Sequence, residues 1–393
     1  MSDSLGVAVI GAGMAGRAHA AGYRSAPTLY DQVLPDIRLV AIADVNEGFA
    51  TDAARRFGYQ RAETSWQAVA EADDIDVVSV VVANHLHREV VEGLLAAGKH
   101  VLCEKPFAPT IAEAQSMVDA AAAAPNQATG VGFVYRRSPA ISAVRELVTD
   151  GAIGAPVHFN GRYWCDYAAD PLAPMSWRYK GGPGSGALAD IGSHMIDSAE
   201  YLCGPIVAVS GARLHTHVTE RALPLGQAVG HSGAALSDVV EPVENEDVVT
   251  FTLRFASGAL GTLSASRVAV GHPNSYGFDL YGDGGTAGFD MDRPSEISFV
   301  DSSTVGRTHG RRQVLIGPDH PFISRGMAMD FPGVGYGQND LFVFQSRAFL
   351  DQAAGVPSAL PPVPSFEHGL RNMKVMAAVV ASAAEGGREI TID

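Results

Sequence analysis

The sequence predicts an α/β protein, with an N-terminal Rossmann-type, doubly wound parallel sheet followed by an α+β domain with an open, mostly antiparallel sheet. Three observations predict it. A G-x-G-x-x-G run, Gly11-Ala12-Gly13-Met14-Ala15-Gly16, directly follows an apolar strand at the start of the chain. Up to residue 134, short Val/Ile-rich runs alternate with helical patterns. From residue 206 onward, strand-like segments succeed one another without intervening helices.

Taken in order, the early strands fall at 6–10, 38–44, 77–82, 100–103 and 129–134. Helical stretches begin near Met14, Asn46, Ser65, His85 and Thr110. The strands are nearly continuous in Val and Ile, as in a sheet covered on both faces. After Tyr135-Arg136-Arg137-Ser138-Pro139 the pattern changes. A helix at 140–149 leads to a strand at 157–164, a Gly/Pro-rich loop and a helix at 187–202. Strands then read at 207–215, 247–255, 259–268, 275–281, 287–290 and 296–300, and helices resume at 339–352 and 366–384. This divides the chain into a dinucleotide domain, 1–135, and a substrate and oligomerisation domain, 136–393, with the last helix (366–385) free to pack back on the first. Residues 220–243 and 317–337 read as long loops, and such loops are often functional.

At 393 residues the chain exceeds one hydrophobic core, which fits two domains. Lys and Arg number 28 against 43 Asp and Glu, a net charge of -15. That acidity argues against nucleic acid and anionic membrane surfaces as partners. Cys103, Cys165 and Cys203 are too scattered for a disulfide framework or metal knuckle and read as buried thiols of a cytoplasmic protein. The N-terminus lacks a basic region before its apolar run, so it reads as a strand and not a signal peptide. No apolar stretch approaches the length of a membrane span. Among the 13 histidines, His85/His87 and His215/His217 alternate without a third ligand, and no metal is assigned.

The glycines of the fingerprint permit a tight turn and a close backbone approach to a pyrophosphate at a helix N-terminus. Asp44 ends the second strand, where a carboxylate accepts from ribose hydroxyls and favours NAD over NADP. It lies further from Gly16 than the usual spacing, because residues 26–35 insert between helix and strand. The plainer alternative is that Asp44 caps the following helix. Lys105 sits in Cys103-Glu104-Lys105-Pro106-Phe107, at the carboxyl end of a parallel strand, where ligands bind; a solvated loop lysine is the alternative. Asp190 and His194 are four apart in a predicted helix and so share a face, a carboxylate beside an imidazole as proton transfer from an alcohol requires.

Together with Asn84-His85-Leu86-His87, Trp177-Arg178 and Gly186-x-x-x-Asp190-x-Gly192-x-His194-x-x-Asp197, these motifs resemble the glucose–fructose oxidoreductase/inositol dehydrogenase/MocA (GFO/IDH/MocA) family over nearly the whole chain. The insertion at 26–35 and the run Gly335-Tyr336-Gly337-Gln338-Asn339-Asp340 look like its levoglucosan and sugar dehydrogenase branch. The resemblance implies NAD, a sugar or cyclitol substrate, and a homodimer or homotetramer. It implies a catalytic set of Lys105, Asp190 and His194, with His194 as base while Asp190 and Lys105 orient and polarise. It implies cofactor contacts from Gly11, Gly13, Met14, Ala15, Asp44, Asn84, His87, Glu104, Lys105, Trp177 and Arg178. Substrate-side candidates are Tyr135, Arg162, Lys180, His231, Arg325 and Tyr336. Oxidised nicotinamide is cationic, so Lys105 is expected to titrate below a free lysine when NAD is bound.

The leading function is therefore oxidation of a sugar, anhydrosugar or cyclitol hydroxyl by hydride transfer to NAD. An NAD-dependent glycosidase, working by transient C3 oxidation and elimination, is the alternative. It needs a second acid/base, for which Tyr135, Tyr163, Tyr167, His231 and Tyr336 are candidates. A noncatalytic NAD sensor would lack one of the trio, which this chain retains. Arg162, Arg178, Lys180, His231, His320 and Arg325 would suit an anionic sugar, such as a sulfonated one, or are ordinary surface charge.

Overall fold

The computed structural model describes residues 4–31, 34–226, 235–303, 306–307 and 309–393. The chain opens with β1 (Ser4–Ile10), α1 (Met14–Ser25), β2 (Asp36–Ala43), α2 (Glu47–Phe57), β3 (Arg61–Glu63) and α3 (Trp66–Glu71). Next come β4 (Val77–Val80), α4 (His87–Ala96), β5 (His100–Cys103), α5 (Ile111–Ala123), β6 (Thr129–Val131) and α6 (Pro139–Thr149). β7 (Pro156–Trp164) leads through α7 (Ser193–Cys203) to β8 (Ile206–His215), β9 (Glu220–Pro224), β10 (Leu236–Pro242) and β11 (Val248–Phe255). β12 (Leu260–Ser266), β13 (Ser275–Gly282), β14 (Gly285–Asp290), β15 (Glu296–Asp301) and β16 (Arg312–Leu315) follow. α8 (Gln338–Ala354), α9 (Phe366–Ala384) and β17 (Ile390–Thr391) end the chain.

Two compact units result. The first holds residues 1–139 and 316–373, the second 140–315 and 374–393. α8 and the first half of α9 thus belong with the N-terminal part of the chain, in the first unit. There Phe107 meets Phe366 at 4.8 Å, and a Cβ on Gly369 would lie 2.7 Å from the Phe107 ring.

In the first unit six parallel strands run in the order β3-β2-β1-β4-β5-β6, the doubly wound arrangement. β4 is buried along its whole length and β1 from Leu5 onward, which matches their nearly continuous apolar runs. β3 escapes sequence reading because Arg61-Ala62-Glu63 is short and polar. Leu29 and Tyr30 of the insertion bind the return segment of this unit. Tyr30 N–H and O–H donate to the carbonyls of Arg325 and Phe322, both at 2.9 Å. Arg347 of α8 donates to the Leu29 carbonyl and pairs with Asp351 at 2.8 Å, and Ser358 Oγ donates to Asp351 at 2.6 Å. Both members of this ion pair are buried.

The second unit is built on a mixed, mostly antiparallel nine-stranded sheet, β16-β15-β14-β13-β7-β12-β11-β8-β17. Only β7 and β12 pair parallel among these neighbours. Alternation sets its faces: Phe159, Tyr163, Phe251, Leu253, Phe278 and Leu280 are buried, while Asn160, Thr250 and Thr262 are on the open side. α7 lies on the apolar face so closely that a Cβ on Gly161 would sit 2.6 Å from Met195 Sδ. The segment read as a loop at 220–243 holds an antiparallel hairpin, β9–β10. Its strands are half-buried or exposed at all positions but one, so no buried face marks them in the sequence.

Asp351→Ala leaves the buried Arg347 guanidinium without its carboxylate and is expected to lower unfolding free energy by about 3–5 kcal/mol. Denaturant titration checks it; a loss below about 1 kcal/mol would assign the pair no stabilising role.

Candidate active site

The fingerprint turn is sterically closed on one side and open on the other. Gly11 has φ +104°, and a Cβ there would lie 2.1 Å from the Val81 carbonyl oxygen. A Cβ on Gly16 would lie 1.8 Å from the Gly11 oxygen. Gly13 is exposed, caps α1 without a side-chain bond, and has no neighbouring heavy atom within 4 Å of a would-be Cβ. Met14 is exposed and Ala15 half-buried beside it. A helix N-terminus with this open approach fits a pyrophosphate. Asp44 accepts from Ala12 N–H and Asn46 N–H, both at 2.8 Å. The capping of α2 falls to Asn46, whose side chain accepts from Phe49 N–H, so the alternative role for Asp44 does not apply.

The Lys105 loop hangs on Glu104. One Glu104 oxygen accepts from Lys105 N–H at 3.1 Å, and the other meets His19 Nε2 at 2.9 Å. His19 Nδ1 lies 3.0 Å from Ser79 Oγ, which lies 2.9 Å from Tyr23 Oη. Glu104 is thus buried in the network that sets the loop, while Lys105 is half-buried. His87 is also buried, its ring nitrogens 3.1 Å from the Phe107 carbonyl and 3.0 Å from that of Val82. It ties two strand-end loops together, and burial pulls its pKa below the usual histidine range. Asn84 is half-buried at the start of a 3₁₀ turn. Tyr135 is buried, with Gln338 Nε2 donating to its hydroxyl at 3.3 Å, and Tyr336 is buried nearby in sequence. Gln338 went unselected in the sequence although it lies in the quoted 335–340 run.

In the second unit, Asp190 does not sit in a regular α-helix. Leu188–Gly192 forms a π-helical turn, closed by Ser193 N–H on the Leu188 carbonyl, and α7 begins after it. The pair is therefore not carried by one regular α-helix, as the four-residue spacing assumes. Asp190 accepts from Tyr167 O–H at 2.5 Å, and the buried His194 ring lies 6.1 Å from that of Tyr163. Glu246 shapes the approach. Its carboxylate accepts from Leu188 N–H at 2.9 Å and Gly184 N–H at 2.7 Å, and a Cβ on Gly186 would lie 2.2 Å from the Glu246 backbone oxygen. Burial raises the Glu246 carboxyl pKa, against the pull of those N–H donors.

Trp177 and Arg178 stack on each other, 4.6 Å from guanidinium to ring, with Trp177 exposed. Asn245 fixes their turn by donating to the carbonyls of Arg178 and Lys180 at 2.9 and 3.1 Å. The buried Arg267, paired with Asp247 at 2.7 Å, also donates to the Arg178 carbonyl. Arg267 and Arg221 lie over the Tyr179 ring at 4.8 and 4.2 Å. Sequence reading missed Glu244-Asn245-Glu246-Asp247, which looks like a solvated acidic run.

Three of the six candidate cations pair with carboxylates. Arg162 pairs with Asp290 at 2.7 Å, Lys180 with Glu241 and Glu244 at 2.9 and 3.3 Å, and Arg325 with Asp31 at 2.8 Å. His320 is buried, and desolvation lowers it to about 4, so it is neutral at pH 7. His231 lies outside the described residues. Among the described residues no group of three metal-ligating side chains occurs and no helix is long and apolar enough to cross a membrane. The Cys103 thiol is pushed well up and that of Cys203 to about 12 by burial.

The chain belongs to the GFO/IDH/MocA oxidoreductase family. Residues 5–133 match the oxidoreductase family's NAD-binding Rossmann fold, and residues 141–288 match the GFO/IDH/MocA C-terminal domain. Levoglucosan dehydrogenase of Pseudarthrobacter phenanthrenivorans is 36% identical over 98% of this chain and 97% of its own. The solved structure of a levoglucosan dehydrogenase in complex with NADH superimposes with a TM-score of 0.89, at 34% identity over 99% of both chains. A complex with NADH and levoglucosan gives 0.88 over the same coverage. Myo-inositol 2-dehydrogenase of Thermotoga maritima is 28% identical over 75% of this chain and 78% of its own. The chain is thus an NAD-dependent dehydrogenase by family, and NAD is its cofactor.

Two outcomes follow from this geometry. Gly13→Ala has room for its methyl group and is expected to keep the wild-type Tm while weakening NAD binding about tenfold or more. Fluorescence titration with NADH reads this, and unchanged affinity would move the pyrophosphate elsewhere. His320 Nδ1 accepts from Phe322 N–H at 3.2 Å, and protonation breaks that bond. Its folded pKa is about 4, below the unfolded value near 6.5, so it costs stability as pH falls through that window, up to ~3 kcal/mol, and levels off below. His320→Gln is expected to flatten this part of the stability profile; a parallel profile would contradict it.

Proposed function

We propose that this protein oxidises a secondary hydroxyl of a sugar, anhydrosugar or cyclitol, with Lys105, Asp190 and His194 as its catalytic set. The observation that carries the reading is the end-to-end similarity to levoglucosan dehydrogenase, at 36% identity. Levoglucosan itself is the first substrate to test. Gly11, Gly13, Met14, Ala15 and Asp44 would hold the cofactor's pyrophosphate and ribose, and Asn84, Lys105, Trp177 and Arg178 its nicotinamide side. Glu104 and His87 act from beneath, by fixing the loops. When bound, NAD accepts the hydride. His194 takes the hydroxyl proton, Asp190 orients the base, and Lys105 polarises the oxygen. Tyr135, Gln338 and Tyr336 would meet the sugar.

Two observations favour a dehydrogenase over the redox-assisted glycosidase. Tyr163 donates to Asn274 at 3.0 Å and Tyr167 to Asp190, so neither offers a free second acid. The pairing of Arg162, Lys180 and Arg325 with carboxylates likewise favours a neutral sugar over an anionic one. A cytoplasmic homodimer or homotetramer is the accompanying proposal, carried by the family.

A panel of levoglucosan, inositols, sugars and aryl glycosides, read for NADH and for aglycone release in parallel, tests the reading. NADH formation in step with ketone is the expected result; aglycone release without net NADH would favour the glycosidase. Lys105→Met is expected to bind NAD normally and to lose roughly 100-fold or more in turnover. Unaltered turnover removes Lys105 from the set.

A further inference from the structure

We infer that Tyr167 is a positioning residue, holding the Asp190 carboxylate by a direct phenolic hydrogen bond; this rests on the dehydrogenase reading above. Tyr167 Oη donates to Asp190 Oδ2 at 2.5 Å, a separation typical of a charge-assisted bond. Asp190 lies in the π-helical turn, with its own N–H donating to the Gly186 carbonyl at 2.9 Å. The phenol adds a direct hold on the carboxylate itself.

Tyr167 is itself fixed from its own loop. Ala168 N–H donates to the Arg267 carbonyl at 2.9 Å, and Arg221 Nη2 donates to the Ala168 carbonyl at 2.6 Å. The Tyr167 ring packs on the buried cluster of Ala168, Met175 and Tyr179. Charged and titratable groups near the phenol include Asp190, Arg267 and Cys165. The Arg267 guanidinium is committed to Asp247. Burial first, then the Asp190 charge, keeps the phenol protonated well above its ordinary range. Tyr167 therefore donates throughout the neutral range and is no acid for a second catalytic step. The loop that bears it also bears Trp177 and Arg178, so the order of that loop reaches the carboxylate through one bond.

A double-mutant cycle tests the coupling without turnover. Thermal unfolding of the cofactor-free protein is compared for wild type, Tyr167→Phe, Asp190→Asn and the pair. The double variant is expected to lose less Tm than the two single losses added. With the substrate oxidised fastest in the panel above, Tyr167→Phe is expected to lower kcat on the order of 10–100-fold. Its NAD dissociation constant stays at the wild-type value, and the acidic limb of the kcat profile moves to higher pH, because the carboxylate form loses a donor. Additive Tm losses, or a kcat profile that does not move, would overturn the inference. Full turnover in Asp190→Asn would instead overturn the catalytic reading and leave the measured coupling standing.

Discussion

Carboxylates that accept from backbone N–H groups shape the functional loops in both units. Asp44 holds the glycine turn at Ala12, and Glu104 holds Lys105. Glu246 holds Gly184 and Leu188, and Asp247 holds His217 and Val218. A helix start or strand end leaves donors that solvent or a side chain must satisfy. An ionised acceptor does so with a stronger bond than a neutral one, and it fixes the loop's geometry before any ligand arrives. In a chain of net charge -15, many acids therefore have structural work inside the fold, whatever the surface carries.

Two of these acceptors are themselves held by side chains. His19 meets Glu104, and Arg267 pairs with Asp247 with both side chains buried. Buried charges need partners of this kind, since removing one member leaves the other desolvated. The two arginines over Tyr179 extend the same rule to a ring face. The outcome is a set of pre-positioned loops, which is what proton transfer and close cofactor approach demand.

Much of the fold was legible in the sequence because burial and period agree in its strong elements. Val77–Val80 reads as a covered strand and is one, whereas Arg61-Ala62-Glu63 carries no apolar signal and pairs with β2 through backbone alone. The hairpin at 220–242 hides for the same reason. The fingerprint and its acid were legible because Gly11, Gly13, Gly16 and Asp44 obey local steric rules. The π-helical turn that bears Asp190 was not legible, because i→i+5 bonding has no sequence period to betray it. Tyr167 and Glu246 lie 23 and 58 residues from the groups they hold, beyond the reach of any local pattern. The carboxylate partners of Arg162, Lys180 and Arg325 were not legible for a related reason: a charge in a loop says nothing of the acid that folding brings to it.

Hydride transfer from carbon to the nicotinamide is the central claim, and an isotope reports on it directly. Levoglucosan or the panel's best substrate, deuterated at the carbon that bears the oxidised hydroxyl, is turned over with NAD by the wild-type protein. Mass spectrometry of the cofactor is predicted to find one deuterium in NADH for each ketone formed. Product formed with no deuterated NADH accumulating would contradict net dehydrogenation and leave a redox-neutral reaction in its place.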